Sequence, residues 1–310
     1  MNMKRVLITG VNGYVGNHLS RVIREKFSQA ELFGLDVAGS NKSLEQKRIF
    51  FTDIADENKV AKIMKSVKPD YIFHLAGVIN SRNWEELYLG NVDKTGKFLE
   101  LIAKSKSSAR IIIPGSAAEY GGVAKADLPI TEKHLPNPLT LYGLSKVFQT
   151  NIARYYSSIG LNVAVGRIFN FIGNGIPDYM AIGAFLDQIK KIKSGKSKKI
   201  IKVGNIKTKR DYLDIYDICT GLIAIAKKGR RGEIYNICSG RSISMEEILR
   251  MMINKSGLNV KIIIDKKRIK KSDINDTYGS NKKIRKETGW KPGIPIESSI
   301  RKALLSEHAE

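Results

Sequence analysis

Short apolar runs alternate with amphipathic stretches through the first half of the chain. The apolar runs that predict buried strands span residues 5–10, 31–36, 49–51, 71–77, 110–116 and 162–168. The stretches with helical spacing begin near residue 13 or lie around 60–67, 92–102 and 143–159. Apolar strands separated by helices indicate a parallel sheet covered on both faces. Because crossover connections are right-handed, we predict a doubly wound α/β sheet.

The alternation becomes less regular after about residue 172. Short strands are predicted at 199–204, 233–237 and 260–264. The segment Ser244–Glu247 has the spacing of a capping box, which predicts a helix over 245–256. We therefore predict a smaller α/β lobe that follows the first domain. The first domain would comprise residues 1–170 with part of 205–240, and the lobe would comprise 171–204 and 241–310.

Composition narrows the class of protein. The chain has 310 residues, of which 42% are hydrophobic, and no apolar run is long enough to cross a bilayer. Two cysteines, Cys219 and Cys238, do not make a disulfide framework, so we expect a cytoplasmic protein that does not act at a membrane. The four histidines are scattered, so no metal site is predicted.

The net charge of +23 raises the question of nucleic acid binding. The densest basic run, residues 190–202, contains seven lysines but no aromatic residue that could stack on a base. We favour a solvated basic surface and predict no nucleic acid partner. A positive field that attracts an anionic small molecule is an intermediate alternative.

A glycine-rich loop follows the first predicted strand. Gly10, Gly13 and Gly16 lie between that strand and the first helix, where backbone N–H groups can bind a pyrophosphate. This context is typical of a Rossmann dinucleotide site, although the spacing G-x-x-G-x-x-G differs from G-x-G-x-x-G. A tight glycine turn without a ligand is the alternative.

Two acidic residues follow at the ends of the next strands. Asp36 is placed to accept hydrogen bonds from the ribose hydroxyls of NAD and would repel a 2′-phosphate, which favours NAD(H) over NADP(H). Lys42 lies nearby, so NADP(H) stays open. Asp53 could reach the adenine amino group or could instead cap the helix that begins before Glu57.

Candidate catalytic chemistry lies at Ser116, Tyr142 and Lys146. Tyr142 and Lys146 are four residues apart on one predicted helix. An ammonium group near a phenol should lower the phenol's pKa, which is about 10 in water. A Ser116 hydroxyl could hold the substrate oxygen while Tyr142 moves a proton and a nicotinamide moves a hydride.

In this order, the motifs resemble those of the extended short-chain dehydrogenases/reductases, in the group of nucleotide-sugar epimerases and dehydratases. The resemblance covers nearly the whole chain and rests on the following segments: TGVNGYVG (9–16), HLAG (74–77), GSAAEYG (115–121), YGLSK (142–146), GRIFNFIG (166–173), KRDYLDIYDI (209–218) and GSNKKIRKETGWKP (279–292). Within this family, residues 200–218 and 232–240 are most similar to GDP-4-keto-6-deoxymannose reductases.

The resemblance implies a role for each matched position. The residues expected at the cofactor are Gly10, Asn12, Gly13, Tyr14, Val15, Gly16, Asp36, Asp53, Ile54, Leu75, Ala76, Gly77, Asn91, Tyr142, Lys146 and Arg167. Those expected at the sugar nucleotide are Ser116, Glu119, Tyr142, Asn170, Val203, Gly204, Asn205, Arg210 and Lys270. For Arg210, a salt bridge to Asp211 or Asp214 is the alternative to a diphosphate contact. Relatives have a second arginine near 269–276, where this chain offers only Lys270 or Lys271.

One departure from the family pattern bears on the reaction. Members that dehydrate the sugar carry an acid two residues before the position of Tyr120. This chain has Ala118 there and Ala117 before it. A methyl group transfers no proton, and Glu119 is displaced by one residue. The resemblance therefore predicts a site that reduces or oxidises a carbonyl without eliminating water.

The motifs leave three functions to consider. The first is NAD(P)H-dependent reduction of the C4 ketone of a nucleoside-diphosphate 4-keto-6-deoxyhexose, preferably GDP-linked, for deoxysugar biosynthesis. The second is an NAD-dependent 4-epimerase of a sugar nucleotide. The third, a non-catalytic relative that senses a cofactor or binds nucleic acid, is disfavoured because Ser116, Tyr142 and Lys146 are all present. The resemblance also implies a homodimer.

Overall fold

The computed structural model of the protein describes residues 3–39, 41, 44–269 and 274–305. Its helices are α1 (Tyr14–Lys26), α2 (Glu57–Val67), α3 (Trp84–Tyr88), α4 (Lys94–Lys104), α5 (Leu141–Ser158), α6 (Ala181–Lys193), α7 (Ile215–Lys228), α8 (Met245–Ser256), α9 (Lys282–Thr288) and α10 (Ile296–Leu305). Its strands are β1 (Arg5–Thr9), β2 (Glu31–Asp36), β3 (Ile49–Phe51), β4 (Tyr71–His74), β5 (Arg110–Ser116), β6 (Val163–Ile168), β7 (Asn170–Ile172), β8 (Ile200–Val203), β9 (Lys209–Arg210), β10 (Tyr212–Asp214), β11 (Ile234–Ile237), β12 (Ile243–Ser244), β13 (Lys261–Ile264) and β14 (Asp276–Thr277).

The predicted doubly wound sheet is confirmed. Within the described ranges it has seven parallel strands in the order β11-β6-β5-β4-β1-β2-β3. Side chains of β1 alternate between two apolar layers, since Val6 and Ile8 pack in one and Leu7 in the other. The first layer includes α1 and α7, and the second includes α2, α4 and α5. Both faces are therefore covered, as all-apolar strands require.

The strand order reverses between β1 and β4. Loops at the carboxyl ends of these two strands diverge to opposite sides of the sheet and leave a crevice between them. Gly10 follows β1 and Leu75 follows β4, and both line the same large cleft. The topology thus places the glycine-rich loop where a dinucleotide binds in sheets of this type.

A separate apolar cluster lies in the C-terminal part of the chain. It is built largely from α6, α8 and α10 together with β8, and its fully buried members include Ile189, Ile201 and Ile248. The lysine-rich run spans the end of α6 and most of β8; its lysines are exposed, Ile192 and Ile201 are buried, and Ile200 is half-buried. In contrast, β11 joins the main sheet beside β6. The exact division into two domains stays a prediction.

No helix within the described ranges has both the length and the apolar character needed to span a membrane. The same part of the chain contains no group of three or more His, Cys, Asp or Glu side chains placed to hold a metal ion.

Candidate active site

A cleft of about 950 Å³ runs across the carboxyl edge of the main sheet. That volume suits a dinucleotide or a large part of one together with a substrate. The predicted residues that it brings together are Gly10, Asn12, Gly13, Tyr14, Val15, Gly16, Asp36, Asp53, Ile54, Leu75, Ala76, Gly77, Asn91, Ser116, Tyr142, Lys146, Asn170 and Arg210. The cleft thus joins most of the predicted cofactor residues to the predicted catalytic residues.

The glycine-rich loop is shaped by close backbone contacts. Gly10 has φ of +68°, and a Cβ there would lie 2.6 Å from the Ala76 nitrogen. A Cβ on Gly16 would lie 2.3 Å from the Gly10 carbonyl oxygen. Gly13 begins α1 and has no side chain to cap it, so N–H groups of the first turn stay available at the cleft. An anionic pyrophosphate fits this helix end and this backbone.

Asp36 is oriented by its own loop. Its carboxylate accepts hydrogen bonds from the Asn12 nitrogen at 2.9 Å and from the Val37 nitrogen at 2.8 Å. These two bonds hold the carboxylate at the end of β2 with lone pairs left over for further donors. The geometry is compatible with the predicted contact to a ribose.

Asp53 lies in the cleft and does not cap α2, so the capping alternative is wrong. The cap is Asp56, whose carboxylate accepts from the Lys59 nitrogen at 3.0 Å. Asp53 instead accepts from the Ala55 nitrogen at 2.9 Å and from Lys94 Nζ at 2.5 Å. These contacts lower the pKa of Asp53 despite its partial burial. Lys94 also lines the cleft and was not predicted, because the sequence does not show that α4 approaches β3 here.

Asn91 lies in a π-helical turn, Leu89–Asp93, between α3 and α4. Its amide accepts from the Val78 nitrogen at 2.7 Å and donates to the Val78 carbonyl at 2.8 Å. It also donates to Ser145 Oγ at 3.0 Å. Turns of this kind often occur at functional sites. Here the turn ties the loop after β4 to the helix that carries Tyr142.

Ser116, Tyr142 and Lys146 converge on the inner part of the cleft. The Ser116 hydroxyl forms a hydrogen bond with the Tyr142 side chain. Burial raises the pKa of Tyr142 to about 12, although the bond to Ser116 lowers it. The prediction that this pKa falls below its usual value is therefore wrong for the ligand-free protein. The phenol is neutral near pH 7 and carries a proton that it can donate.

Lys146 is 7% exposed. Burial lowers its pKa to about 8, and the negative charge of Glu119 opposes that shift. The ammonium donates a hydrogen bond to the Gln149 side-chain oxygen, one turn along α5. Lys146 is thus charged at neutral pH, and it lines the cleft one turn after Tyr142 on α5.

Glu119 and Arg167 do not line the cleft, which corrects the expectation that each contacts a ligand. Glu119 is 0% exposed and Arg167 3%, and their carboxylate and guanidinium groups form an ion pair of 2.8 Å. Glu119 also accepts from the Ser116 nitrogen at 2.8 Å and from Thr150 Oγ1 at 3.0 Å. Burial raises the pKa of Glu119, while these partners lower it. The pair supports the loop that presents Ser116.

At the substrate end, Asn170 and Arg210 line the cleft. Arg210 Nη1 donates to the carbonyl groups of Lys209 and Ile274 at 2.7 and 2.6 Å. The carboxylate of Asp211, one of the two weighed as a salt-bridge partner, accepts from the backbone nitrogens of Ser239, Gly240 and Gly279. The other, Asp214, accepts from the Tyr216 nitrogen and Ser299 Oγ.

Other predicted substrate residues are not brought to this cleft. Val203 is buried in the C-terminal apolar cluster, and Gly204 and Asn205 follow it outside the lining. Their contact with a nucleotide base stays a prediction. Lys270 lies outside the described residues. The lining instead includes Tyr179, Met180, Ile274 and Thr277, which carry no motif that sequence analysis could recognise.

Comparison with known proteins identifies the family. The family model described as GDP-mannose 4,6 dehydratase matches residues 7–303. The chain belongs to this family. It is 28% identical over 309 residues to a GDP-6-deoxy-D-mannose reductase from Pseudomonas aeruginosa, covering 98% of this chain and 97% of the relative. It is also 28% identical over 307 residues to a protein of Methanocaldococcus jannaschii named putative UDP-glucose 4-epimerase, covering 96% and 97%.

Similarity to a solved structure agrees with this family assignment. The protein named RMD from Pseudomonas aeruginosa, complexed with NADPH, superposes with a TM-score of 0.88 at 26% identity, covering 99% of this chain and 98% of that one. The predictions of the fold and of an NAD(P)-dependent extended short-chain dehydrogenase/reductase acting on sugar nucleotides are confirmed.

The structure shows where the two alanines that follow Ser116 lie. Ala117 and Ala118 line the cleft next to Ser116, and Ala117 also packs against a small apolar cluster that includes Tyr120 and Phe169. Glu119 is turned into the protein and bound by Arg167. No carboxyl group from this segment reaches the cleft.

Proposed function

We propose that the protein reduces the C4 ketone of a nucleoside-diphosphate 4-keto-6-deoxyhexose, with GDP as the preferred nucleotide. The observation that carries this proposal is the alanine pair beside the Ser116–Tyr142 hydrogen bond. The cleft has a phenol that can donate a proton, and the segment where dehydrating members carry an acid offers only methyl groups. The similarity to the GDP-6-deoxy-D-mannose reductase supports the choice of nucleotide and sugar.

Three side chains would bind the ketone and transfer the proton. Ser116 and Tyr142 donate hydrogen bonds to the ketone oxygen and thereby hold it in place. A nicotinamide cofactor, when bound, would supply the hydride. As negative charge develops on the oxygen, the neutral Tyr142 phenol transfers its proton to it. The Lys146 ammonium stabilises the phenolate that remains, because it is charged at pH values below about 8.

The glycine-rich loop and α1 would hold the pyrophosphate, and Asp36 would hold the adenosine ribose. On this basis we propose NAD(H) as the slightly preferred cofactor. The NADPH found in the similar solved structure is the reason to test both cofactors. Arg210 and Asn170 would hold the substrate's diphosphate and sugar.

The substitution Tyr142→Phe tests the mechanism. Oxidation of NADH and NADPH is followed by absorbance with GDP- and dTDP-linked 4-keto-6-deoxyhexoses. We expect turnover to fall by about 10²–10⁴-fold in Tyr142→Phe while cofactor affinity changes little. Tyr216→Phe is the control, since Tyr216 lies on α7 and does not line the cleft. Near-normal turnover of Tyr142→Phe would overturn the mechanism.

A 4-epimerase of an intact sugar nucleotide is the second candidate, favoured by Asp36 and by the similarity to the Methanocaldococcus jannaschii protein. Such an enzyme retains NAD through its cycle. If the purified protein carries tightly bound NAD and oxidises no cofactor with any keto sugar, this second function replaces the first.

We further propose that the protein is a cytoplasmic homodimer. The outer surfaces of α3 and α5 expose large apolar side chains at Tyr88, Leu89, Phe148, Tyr155 and Ile159, each between 43% and 60% exposed. A second copy packed on this face would bury them. Sedimentation equilibrium measures the mass in solution directly.

A further inference from the structure

We infer that Gln149 is a positioning residue for Lys146, holding the lysine ammonium at the cleft through a buried series of hydrogen bonds that begins at Ala76, after β4. The importance of that ammonium for turnover rests on the proposed function. The contacts themselves do not.

Gln149 is 1% exposed and forms hydrogen bonds with both ends of its amide. The side-chain oxygen accepts from Lys146 Nζ, and Nε2 donates to Thr95 Oγ1 at 2.9 Å. An ammonium group can only donate, so the amide oxygen must face Lys146 and the amide nitrogen must face Thr95. The orientation of Gln149 is therefore determined by its partners.

From Thr95 the series of hydrogen bonds continues to two strands of the main sheet, β4 and β1. Thr95 Oγ1 lies 3.0 Å from His74 Nε2, and His74 Nδ1 lies 2.9 Å from Thr9 Oγ1. Thr9 Oγ1 in turn accepts from the Ala76 nitrogen at 3.2 Å. Thr95, His74 and Thr9 are each 0% exposed. Lys146 is thus connected through α4, β4 and β1 to Ala76, which lines the cofactor cleft.

This series of hydrogen bonds holds the Lys146 ammonium in position and does not conduct protons. A carboxamide neither gains nor loses a proton near neutral pH, so Gln149 interrupts any relay from Lys146. Burial, together with the charge of Lys146, lowers the pKa of His74 to about 3, and the imidazole is neutral at working pH. The hydrogen bonds fix the position of the Lys146 ammonium, because its partners are rigid and buried.

The charge on Lys146 interacts with Glu119, which follows β5, and with His74 at the end of β4. Tyr142 lies one turn earlier on α5. Removing the amide oxygen of Gln149 leaves the ammonium with one acceptor fewer in a buried place. Its charged form then becomes less stable. A carboxylate in the same place stabilises the charged form.

Two substitutions with opposite expected effects test the inference. Gln149→Leu should lower the pKa of Lys146 from its value of about 8 by about one unit, and Gln149→Glu should raise it by about one unit or more. In the ligand-free protein, this pKa is read from the pH dependence of the unfolding free energy between pH 6 and 11. With a keto sugar, the alkaline limb of the kcat profile should move in the same two directions. We also expect kcat of Gln149→Leu to fall about tenfold, with a smaller change in KM.

Gln188→Leu is the matched control, because Gln188 on α6 also binds through both ends of its amide, to the backbone of Lys202. If Gln149→Leu does not fold, Thr95→Val removes the next hydrogen bond of the series. It should shift the pKa of Lys146 in the same direction as Gln149→Leu, but by less. An unchanged pKa of Lys146 in both Gln149 variants, or a shift of this pKa in the same direction in both, would overturn the inference. Absence of turnover with every keto sugar tells against the proposed function alone, since the unfolding measurements need no substrate.

Discussion

Replacing Lys146 by methionine should change how the stability of the protein depends on pH. The lysine is 7% exposed and lies in the wall of the cleft. Its charged form is disfavoured in the folded state, because burial removes most of its hydration. Methionine has a similar length and no charge, so it removes this penalty while filling most of the same space.

The size of the effect follows from the pKa of the lysine, which is about 8 in the folded protein against an ordinary value of 10.5. Between these two values the unfolded chain binds more protons than the folded protein does, so stability rises with pH. A difference of about 2.5 pKa units corresponds to about 3 kcal/mol at 1.36 kcal/mol per unit. The wild-type protein should therefore gain about 3 kcal/mol of unfolding free energy between pH 7 and pH 11 relative to Lys146→Met.

The assay is urea unfolding of both proteins at intervals between pH 7 and pH 11, without ligand. Groups that titrate alike in both proteins cancel in the difference. Lys193→Met removes an exposed lysine at the end of α6 and shows the effect of losing a surface charge. A constant difference between wild type and Lys146→Met across the range would refute the reasoning, because Lys146 would then titrate alike in the folded and unfolded states.

Two further predictions concern buried contacts. Arg167→Met leaves the Glu119 carboxylate buried without its partner and should cost about 3–5 kcal/mol in urea unfolding, whereas Glu119→Leu combined with Arg167→Met should recover much of that loss; an equal loss in the double variant would contradict this explanation. Gly16→Ala places a Cβ 2.3 Å from a backbone oxygen and should weaken NADH binding, measured by fluorescence, and lower stability by about 1–3 kcal/mol. Gly96→Ala on α4 meets no atom within 4 Å and should instead stabilise by about 0.5–1 kcal/mol. Unchanged NADH affinity in Gly16→Ala would show that the loop does not hold the cofactor.

Sequence periodicity was sufficient for the main sheet and for the glycine-rich loop. Strands buried on both faces are continuous apolar runs, and β1 and β5 were predicted almost to the residue. The two-residue strands β9, β12 and β14 were not predicted, since they are too short to show a period. Their pairing depends on contacts between distant parts of the chain.

Side-chain direction was harder to predict than position. Glu119 follows Ser116 in a short 3₁₀ turn, whose geometry sends its carboxylate back to the Ser116 nitrogen and into the protein. By sequence Asp53 could cap α2, and only the fold shows that Asp56 is the cap and that Asp53 meets Lys94. Gln149 carries no motif, and its partner outside α5 is Thr95 on α4, which only the fold brings close.

The protonation states in the cleft bear on proton transfer at Tyr142. A pKa of about 12 for Tyr142 keeps its proton in place at neutral pH, and the Lys146 ammonium stays charged up to about pH 8. Reduction of a ketone needs a proton donor, and a neutral phenol beside an ammonium supplies one. Oxidation of an alcohol, the first half of an epimerase cycle, needs the phenolate instead, which burial disfavours here. Both functions use Ser116, Tyr142 and Lys146, so these residues do not distinguish a reductase from a 4-epimerase, whereas retention of NAD through purification does.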